Sequence, residues 1–395
     1  MTNADRLSVA LLTNAPAPYR TPFFNELAMR CRLLVIFDTL RNPGREWEVD
    51  TTEFRFQWTV TRALPFTGRL VGHGRIQRWI PNIPLNAVSA INRFGPDVVV
   101  SSELGARTAS AAVFCYRRRR PLIVWWEGTP HSERSVSHRK IRLRQTLLRR
   151  ATRAWSNGEE SQKSLTAYGV PESQIDLDII GMNTARWRKE VEDARCSHRA
   201  VIRERFGLRG VVILFVGGLT ERKGIREVMS ALSLLAQEDL PEWSVLFVGS
   251  GELSEEIEGW ARAHPAVPVA LTGFVQPAQL PGYFAAGDLF VMPSLEDVWG
   301  MVCLEALVAG LPQVTSEFAG AANALVTSTE IGSVVNPQDI RSLAEHLAHR
   351  IRLGIARVPD EMREGMIIKW SPAAMTDRAM TSIRSSVATS GVSCE

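Results

Sequence analysis

The chain has 395 residues, 45% of them hydrophobic and 22% charged, with 46 Lys and Arg against 42 Asp and Glu for a net charge of +4. That length exceeds what one core usually organises, so two domains are expected. The ordinary composition excludes a disordered chain, and no run of 18 apolar residues marks a membrane span. The cysteines (Cys31, Cys115, Cys196, Cys303 and Cys394) lie scattered, without a C-x-x-C pair or a histidine at metal spacing. No metal site is expected from them, and they fit reduced thiols in a cytoplasmic protein.

The opening MTNADRLSVALLTNAPAPYR lacks the charged n-region and cleavage site of a signal peptide, so its apolar run, Leu7–Thr13, is predicted as a first buried strand. A helix over PYRTPFFNELAMR and a strand at Leu33–Phe37 follow. Pro96–Ser102, Pro121–Trp126 and Arg153–Asn157 read as further strands, separated by helices near Ala106–Tyr116 and His138–Arg150. Continuous β-branched runs bounded by Pro, Gly and Asn suit parallel strands covered on both faces. Between Arg117 and Arg153, twelve Lys or Arg stand against two acids, Glu127 and Glu133. Ile141, Leu143, Leu147 and Leu148 can share an apolar helical face ringed by the basic residues. Such a helix suits an anionic membrane surface or an anionic acceptor, with a solvated surface helix as the plainer alternative. A nucleic-acid partner would use the same charges and is not expected.

Residues 181–210 are polar and strongly charged, and the domain boundary is placed near residue 190, dividing 1–190 from 191–370. Beyond it, Val211–Val216, Ser244–Gly249, Val267–Gly273, Asp288–Pro293, Pro312–Ser316 and Gly332–Val335 read as strands, with helices between most of them. This alternation predicts a doubly wound α/β sheet. A last amphipathic helix, about Pro372–Ser385, belongs to a closing segment, 371–395, whose end, ATSGVSCE, reads as frayed. Two such α/β domains imply a cleft, and ligands of such sheets sit beyond the carboxyl ends of the strands. Function is therefore sought at the strand-to-helix turns.

The stretch PSLEDVWGMVCLEAL, residues 293–307, enters a helix that opens after Trp299-Gly300 and stops at Gly310, with Pro312 beyond. Glu305 is the only charge between Met301 and Gly310, and a carboxylate on so apolar an element is costly unless paired. A vicinal diol such as a ribose would give it two hydrogen bonds; a Lys or Arg partner on an exposed face is the alternative. Asp297, with Glu296 beside it, lies eight residues earlier, a little over two helical turns, so both carboxylates can face one side. The first amides of the helix, near Gly300, Met301 and Val302, are free to receive a phosphate. Amides for phosphate and carboxylates for sugar and ribose hydroxyls together describe a nucleotide-sugar site. In FVGGLTERKG, residues 215–224, the turn lacks the Gly-Lys-[Ser/Thr] of a P-loop, yet Lys223 can meet a diphosphate as a point charge. FVGSGE (247–252, with Gly249) and LTGFV (271–275) place glycines after strands, where a ligand or helix can approach the backbone.

In this order and spacing, these turns, with AAGDLFVMPS and the D-x-W-G-x-x-x-x-EAL-x-x-G-x-P pattern, resemble the donor domain of glycosyltransferase family 4, over about Val211–Arg350. NAPAPYRTPFFNEL and WWEGTPHSER resemble the acceptor domain of some members. The resemblance implies a GT-B fold: two Rossmann-like doubly wound domains facing a cleft, with the last helix crossing back to the first. It also implies retaining transfer from a nucleotide sugar, without a metal or other cofactor. Carried onto this sequence, Asp297 would contact donor-sugar hydroxyls, Glu305 the ribose and Lys223 the diphosphate. Backbone at Gly273, Phe274 and Val275 would meet the base, and Gly320 would belong to a loop closing over the donor. Two departures stand out. The family usually has Arg where Gly218 stands, leaving Arg222 as the substitute, and Ala15-Pro16-Ala17-Pro18 occupies the place of a Gly-Gly loop. On the acceptor side, Glu127 and His131 are candidates to orient the incoming hydroxyl or the donor sugar, and Tyr19 and Arg20 to line the acceptor cleft, with a surface position as the alternative for Arg20. The resulting expectation is a retaining glycosyltransferase acting on a lipid-linked or polysaccharide precursor, cytoplasmic or peripheral on the inner membrane face. The alternatives are another GT-B activity, such as an epimerase or phosphorylase, or a sugar-nucleotide-binding protein without turnover.

Overall fold

The computed structural model describes residues 6–41, 46–61, 63–65, 68–72, 75–79, 82–84 and 86–389. The contacts divide the chain into two compact units, one running to Met182 and resuming at Pro372, the other Asn183–Ser371. In chain order the first unit has β1 (Ser8–Thr13), α1 (Thr21–Arg30), β2 (Arg32–Phe37), β3 (Gln57–Val60), β4 (Ala63–Pro65), β5 (Gly68–Gly72), β6 (Arg75–Trp79), β7 (Asn82–Pro84) and α2 (Ala87–Phe94). It continues with β8 (Val98–Ser102), α3 (Ala106–Arg118), β9 (Leu122–Trp126), α4 (Pro130–Glu133), α5 (His138–Leu148), β10 (Arg153–Ser156), α6 (Glu159–Ala167) and β11 (Ile175–Asp176). The second unit holds α7 (Thr184–Ser197), α8 (Arg199–Arg205), β12 (Val211–Val216), α9 (Ile225–Leu235), β13 (Trp243–Val248), α10 (Ser254–Ala263), β14 (Val269–Leu271) and α11 (Leu280–Ala286). After these come β15 (Leu289–Met292), α12 (Met301–Val308), β16 (Gln313–Ser316), α13 (Ala322–Leu325), β17 (Gly332–Val335), α14 (Ile340–Leu353) and α15 (Asp360–Lys369), and the chain's last helix is α16 (Pro372–Thr389).

In the first unit seven parallel strands lie in the order β11-β10-β9-β8-β1-β2-β3. Alternation along the strands splits the core in two, because successive side chains point to opposite faces. Val9, Leu11, Leu33, Val35, Val98 and Val100 pack with Phe23, Phe24 and Leu27 of α1. Ala10, Leu12, Leu34, Ile36 and Val99 pack instead with Ile91, Phe114, Leu147 and Leu165 of α2, α3, α5 and α6. Both faces are thus covered, which is why the strands read as unbroken apolar runs. Helix α16 completes the first face with Met375, Ala379, Met380, Ile383 and Val387. Its Ser382 accepts from Trp155 Nε1 at 2.8 Å and donates to Asp176 at 2.5 Å. The helix runs four residues past the predicted Ser385 to Thr389; Ala388 and Thr389 of the stretch read as frayed are therefore helical, and 390–395 lie outside the described residues.

The second unit's six parallel strands take the order β14-β13-β12-β15-β16-β17. Val211, Ile213, Phe215, Val245 and Phe247 pack beneath α9 and α14. Residue 190, where the sequence placed the boundary, falls inside α7, which starts at Thr184 because Asn183 caps it by accepting from Arg186 N at 3.1 Å. The charged stretch carries an apolar face: Trp187, Val191 and Ala194 are buried, with the Trp187 ring edge-on to Phe284 at 5.2 Å. The fold is thus two parallel α/β sheets of Rossmann-like type, as expected for the GT-B class.

Candidate active site

In the second unit the strand order reverses between β12 and β15, so the turns that follow these strands diverge at one crevice, where α/β sheets bind ligands. The two turns touch. A Cβ added to Gly224, which sits at φ +71°, would lie 1.8 Å from the Pro293 carbonyl oxygen, so only glycine fits. Leu295 N donates to Arg222 O at 2.9 Å, and Arg222 Nη1 donates to Glu296 O at 2.7 Å. Lys223 Nζ, largely buried, forms an ion pair with Asp297. Burial pushes the Asp297 carboxyl up, but the Lys223 ammonium and its hydrogen bond, Arg222 and the Trp299 N–H together hold it below its ordinary value. Lys223 and Asp297, assigned by resemblance to diphosphate and sugar, thus meet each other directly. Arg222 lies on the same spot and supplies a cation there, although Gly218 carries none.

The neighbouring turn after β13 stacks on the first. Gly249 has φ +149°, and a Cβ on it would fall 1.9 Å from the Gly217 oxygen; an isolated bridge then joins Gly249 to Gly273. Phe274 is half-buried and Val275 buried just beyond.

Asp297 does not share a helix with Glu305. Helix α12 starts only at Met301, after Gly300 turns the chain at φ +88°. The helical spacing argument therefore does not apply, and loop contacts place the carboxylate instead. Asp297 N donates to Phe318 O at 3.3 Å, Gly320 N to Asp297 O at 3.2 Å, and Ala321 N to Trp299 O at 2.8 Å. The loop carrying Gly320 is thereby tied to the one carrying Asp297. Buried Trp299 packs on Trp370 with ring centroids 4.9 Å apart. No side chain caps the N-terminus of α12, so the amides of Met301 and Val302 begin a helix with its positive dipole end uncovered.

Glu305 is half-buried on α12. Among the described residues no hydrogen bond or ion pair holds its carboxylate, and burial pushes it up to about 7. The Lys or Arg partner offered as the alternative is therefore not there. The thiol of fully buried Cys303 senses the whole group: burial raises it, Asp297 and Glu305 add to that, and Lys223 opposes them. Among the described residues no group of three or more His, Cys, Asp or Glu is placed to hold a metal ion.

The first-unit candidates divide. Arg20 is buried rather than a surface residue: it pairs with Glu127, donates to Thr13 Oγ1 at 3.1 Å and lies over the Trp125 ring at 4.6 Å. Tyr19 is half-buried with the Arg20 guanidinium 5.7 Å from its ring. His131 is half-buried in the short α4, which Thr129 and Ser132 cap reciprocally. The sequence reading missed a second buried arginine, Arg107, which holds Asp38 at 3.0 Å through Nε and Ser102 at 2.9 Å through Nη1. Asp38 follows β2 directly, and a carboxylate ending an apolar strand was the signal available for it.

The basic segment is also arranged differently from the expectation. Arg144 points inward, paired with Glu133, bonded to Tyr168 at 2.7 Å and lying over Trp126 at 4.8 Å. Leu143 is exposed instead, as are Val113 and Tyr116 of α3; Arg150 covers the Tyr116 ring at 4.9 Å. The apolar face predicted from four residues thus loses Leu143, leaving Leu147 and Leu148 buried and Ile141 half-buried, since a one-residue rotation brings Arg144 to the core side. Among the described residues no helix is long and apolar enough to cross a membrane.

Residues 201–366 match the family described as glycosyl transferases group 1. Sulfoquinovosyl transferase SQD2 of Arabidopsis thaliana is 26% identical over 275 residues, covering 66% of this chain and 51% of the relative; the chain spans about half of that protein. Among solved structures, a glycosyltransferase from Rickettsia africae superposes with a TM-score of 0.73 at 13% identity, covering 97% of this chain and 99% of its own. Anabaena Alr3699/HepE, solved with UDP-glucose, gives a TM-score of 0.63 at 19% identity, covering 96% and 98% of the two chains. Residues 201–366, which hold the β12–β15 crevice and Glu305, therefore match the glycosyl transferases group 1 family, and the chain's fold is shared with solved glycosyltransferases.

Proposed function

We propose that this protein is a retaining glycosyltransferase that moves a hexosyl or related group from a nucleotide sugar to a hydroxyl of a lipid-linked or polysaccharide precursor. The observation that carries the reading is the Lys223–Asp297 pair at the strand-order switch, beside the uncapped start of α12. A bound diphosphate competes with Asp297 for Lys223. Its charge draws on Lys223, Arg222 and the amides of Met301 and Val302, freeing Asp297 to accept hydroxyls of the donor sugar. Glu305, whose carboxylate has no hydrogen-bond or ion-pair partner among the described residues, accepts the two ribose hydroxyls, and backbone at Gly273–Val275 meets the base. As the glycosidic bond breaks, negative charge grows on the leaving diphosphate, where preorganised cations and amides stabilise it most. The departing phosphate oxygen then takes the proton of the acceptor hydroxyl on the same face, so the anomeric configuration is kept. The protein's own part is positioning and charge stabilisation.

The membrane side of the proposal rests on α3 and α5, where exposed Val113, Tyr116 and Leu143 stand among exposed Arg117, Arg119, Arg139 and Arg142. Apolar side chains within a basic face suit an anionic leaflet, at about 1 kcal/mol per basic residue near the surface. The test of the activity is incubation with UDP-, GDP- and ADP-sugars, following released nucleotide and the anomer of the product by NMR. Slow release from one donor with retained configuration is expected. Inversion, or no turnover of any donor with any acceptor extract, contradicts the reading.

A further inference from the structure

The donor reading leaves unused the carboxyl edge of the first unit's sheet, where strand order reverses between β1 and β8. A continuous polar network crosses it. Arg107 donates to Asp38 through Nε at 3.0 Å and to Ser102 through Nη1 at 2.8 Å (carbonyl) and 2.9 Å (hydroxyl). Ser102 Oγ donates to Thr13 Oγ1 at 3.2 Å, which also accepts from Arg20 Nη1 at 3.1 Å, and Arg20 Nη2 pairs with Glu127. On one side Asn14 Nδ2 donates to Glu103 Oε1 at 3.2 Å, with the Arg107 guanidinium 3.9 Å from Glu103 Oε2.

Hydrogen-bonding capacity along this edge is one-sided. Both guanidiniums are buried and engaged with groups of the protein itself. What remains open is acceptor oxygen: the Glu103 side chain is 52% exposed and that of Glu127 25%. Among the described residues nothing hydrogen-bonds to the buried Asp38 Oδ1, a costly state unless a donor arrives. Three carboxylates, Asp38, Glu103 and Glu127, stand against two arginines, Arg20 and Arg107, so the edge is net negative. A phosphate or carboxylate ligand would meet repulsion there. Hydroxyl groups meet acceptors, and just past β10 the buried Nδ2 of Asn157, without a partner among the described residues, offers a neutral donor in return.

We propose that this edge seats an uncharged, hydroxyl-rich sugar residue, with Glu103 and Glu127 accepting its hydroxyls, and that Glu103 sets the discrimination against acidic sugars. The assignment rests on the transferase reading only in calling that sugar the acceptor; the binding itself stands apart from it. The test is saturation-transfer NMR on the full chain with methyl glucoside, mannoside and galactoside, each beside its uronate and 6-phosphate. At least one neutral glycoside binds, and its charged counterparts bind about tenfold or more weakly. Glu103→Leu weakens the neutral ligand about tenfold or more, whereas Glu103→Gln narrows the gap by admitting the uronate. The signal survives Lys223→Ala, which separates it from the donor crevice. Nucleotide-sugar titration of the same samples tests the donor reading separately: its failure with glycoside binding intact removes the transferase assignment and leaves this site. Absence of any neutral-glycoside signal, equal binding of the charged forms, or indifference to Glu103→Leu overturns the proposal.

Discussion

Glu305 and Asp297 are two carboxylates that one crevice treats in opposite ways. Glu305 is raised to about 7 by burial alone, so the folded chain holds a proton that the unfolded chain has released above its ordinary value of 4.5. The folded state then binds more protons between these values, and stability falls as pH rises from about 4.5 to about 7. Glu305→Gln is expected to flatten that decline, a change on the order of 2 kcal/mol by denaturant titration at pH 5 against pH 8. The same ionisation has the opposite effect on ligand. An ionised Glu305 accepts ribose hydroxyls more strongly, so nucleotide affinity rises between pH 6 and pH 8 in wild type and stays level in Glu305→Gln. Asp297 is held low, and its pairing with Lys223 stabilises the fold above its ordinary value of 3.8, a contribution lost as pH falls below it. Lys223→Ala strands that carboxylate in a largely buried place and is expected to cost about 1–3 kcal/mol at pH 7. Urea unfolding of the variant at pH 7 and pH 4 checks this, because the deficit shrinks as Asp297 becomes protonated.

At the scale of elements, the central strands of each sheet were legible, whereas the short β3 and β11 and the loop geometry were not. Val9–Leu12, Val98–Val100 and Val211–Phe215 are apolar without interruption because helices cover both faces, and that pattern is written in the residues themselves. The turn after β15 is different. Asp297 and Glu305 read as neighbours on a helical period, yet Gly300 at φ +88° keeps Asp297 outside α12. Its position is set by backbone bonds to Phe318 and Gly320, twenty-odd residues away in sequence. Nothing local encodes such contacts. Arg144 shows the same limit: it reads as one of a ring of solvent-facing cations, and only the meeting of Glu133, Tyr168 and Trp126 makes its burial favourable. Helix α16 belongs to the first core although nearly two hundred residues separate it from β11. Ile383→Ala is accordingly expected to destabilise the first unit by about 2–5 kcal/mol, seen as an earlier melting transition, with donor binding by the second unit little changed below it.

At the scale of the whole molecule, each unit gathers charged side chains at the reversal point of its own sheet, Lys223, Arg222 and Asp297 in the second and Arg20, Arg107, Asp38, Glu103 and Glu127 in the first. The exposed arginines of α3 and α5 add a third feature. Co-sedimentation with vesicles containing anionic lipid is expected for wild type, to weaken as salt is raised and to fall several-fold for Arg139→Glu with Arg142→Glu, while neutral vesicles bind little. Equal binding to neutral vesicles would remove the membrane assignment and leave the donor site untouched. The central claim is that site, and calorimetric titration with UDP-, GDP- and ADP-sugars tests it most directly. The account predicts that one donor binds wild type and that Lys223→Ala and Glu305→Ala each weaken it about tenfold or more. Binding that neither substitution changes, or no binding of any nucleotide sugar at millimolar concentration, would contradict it.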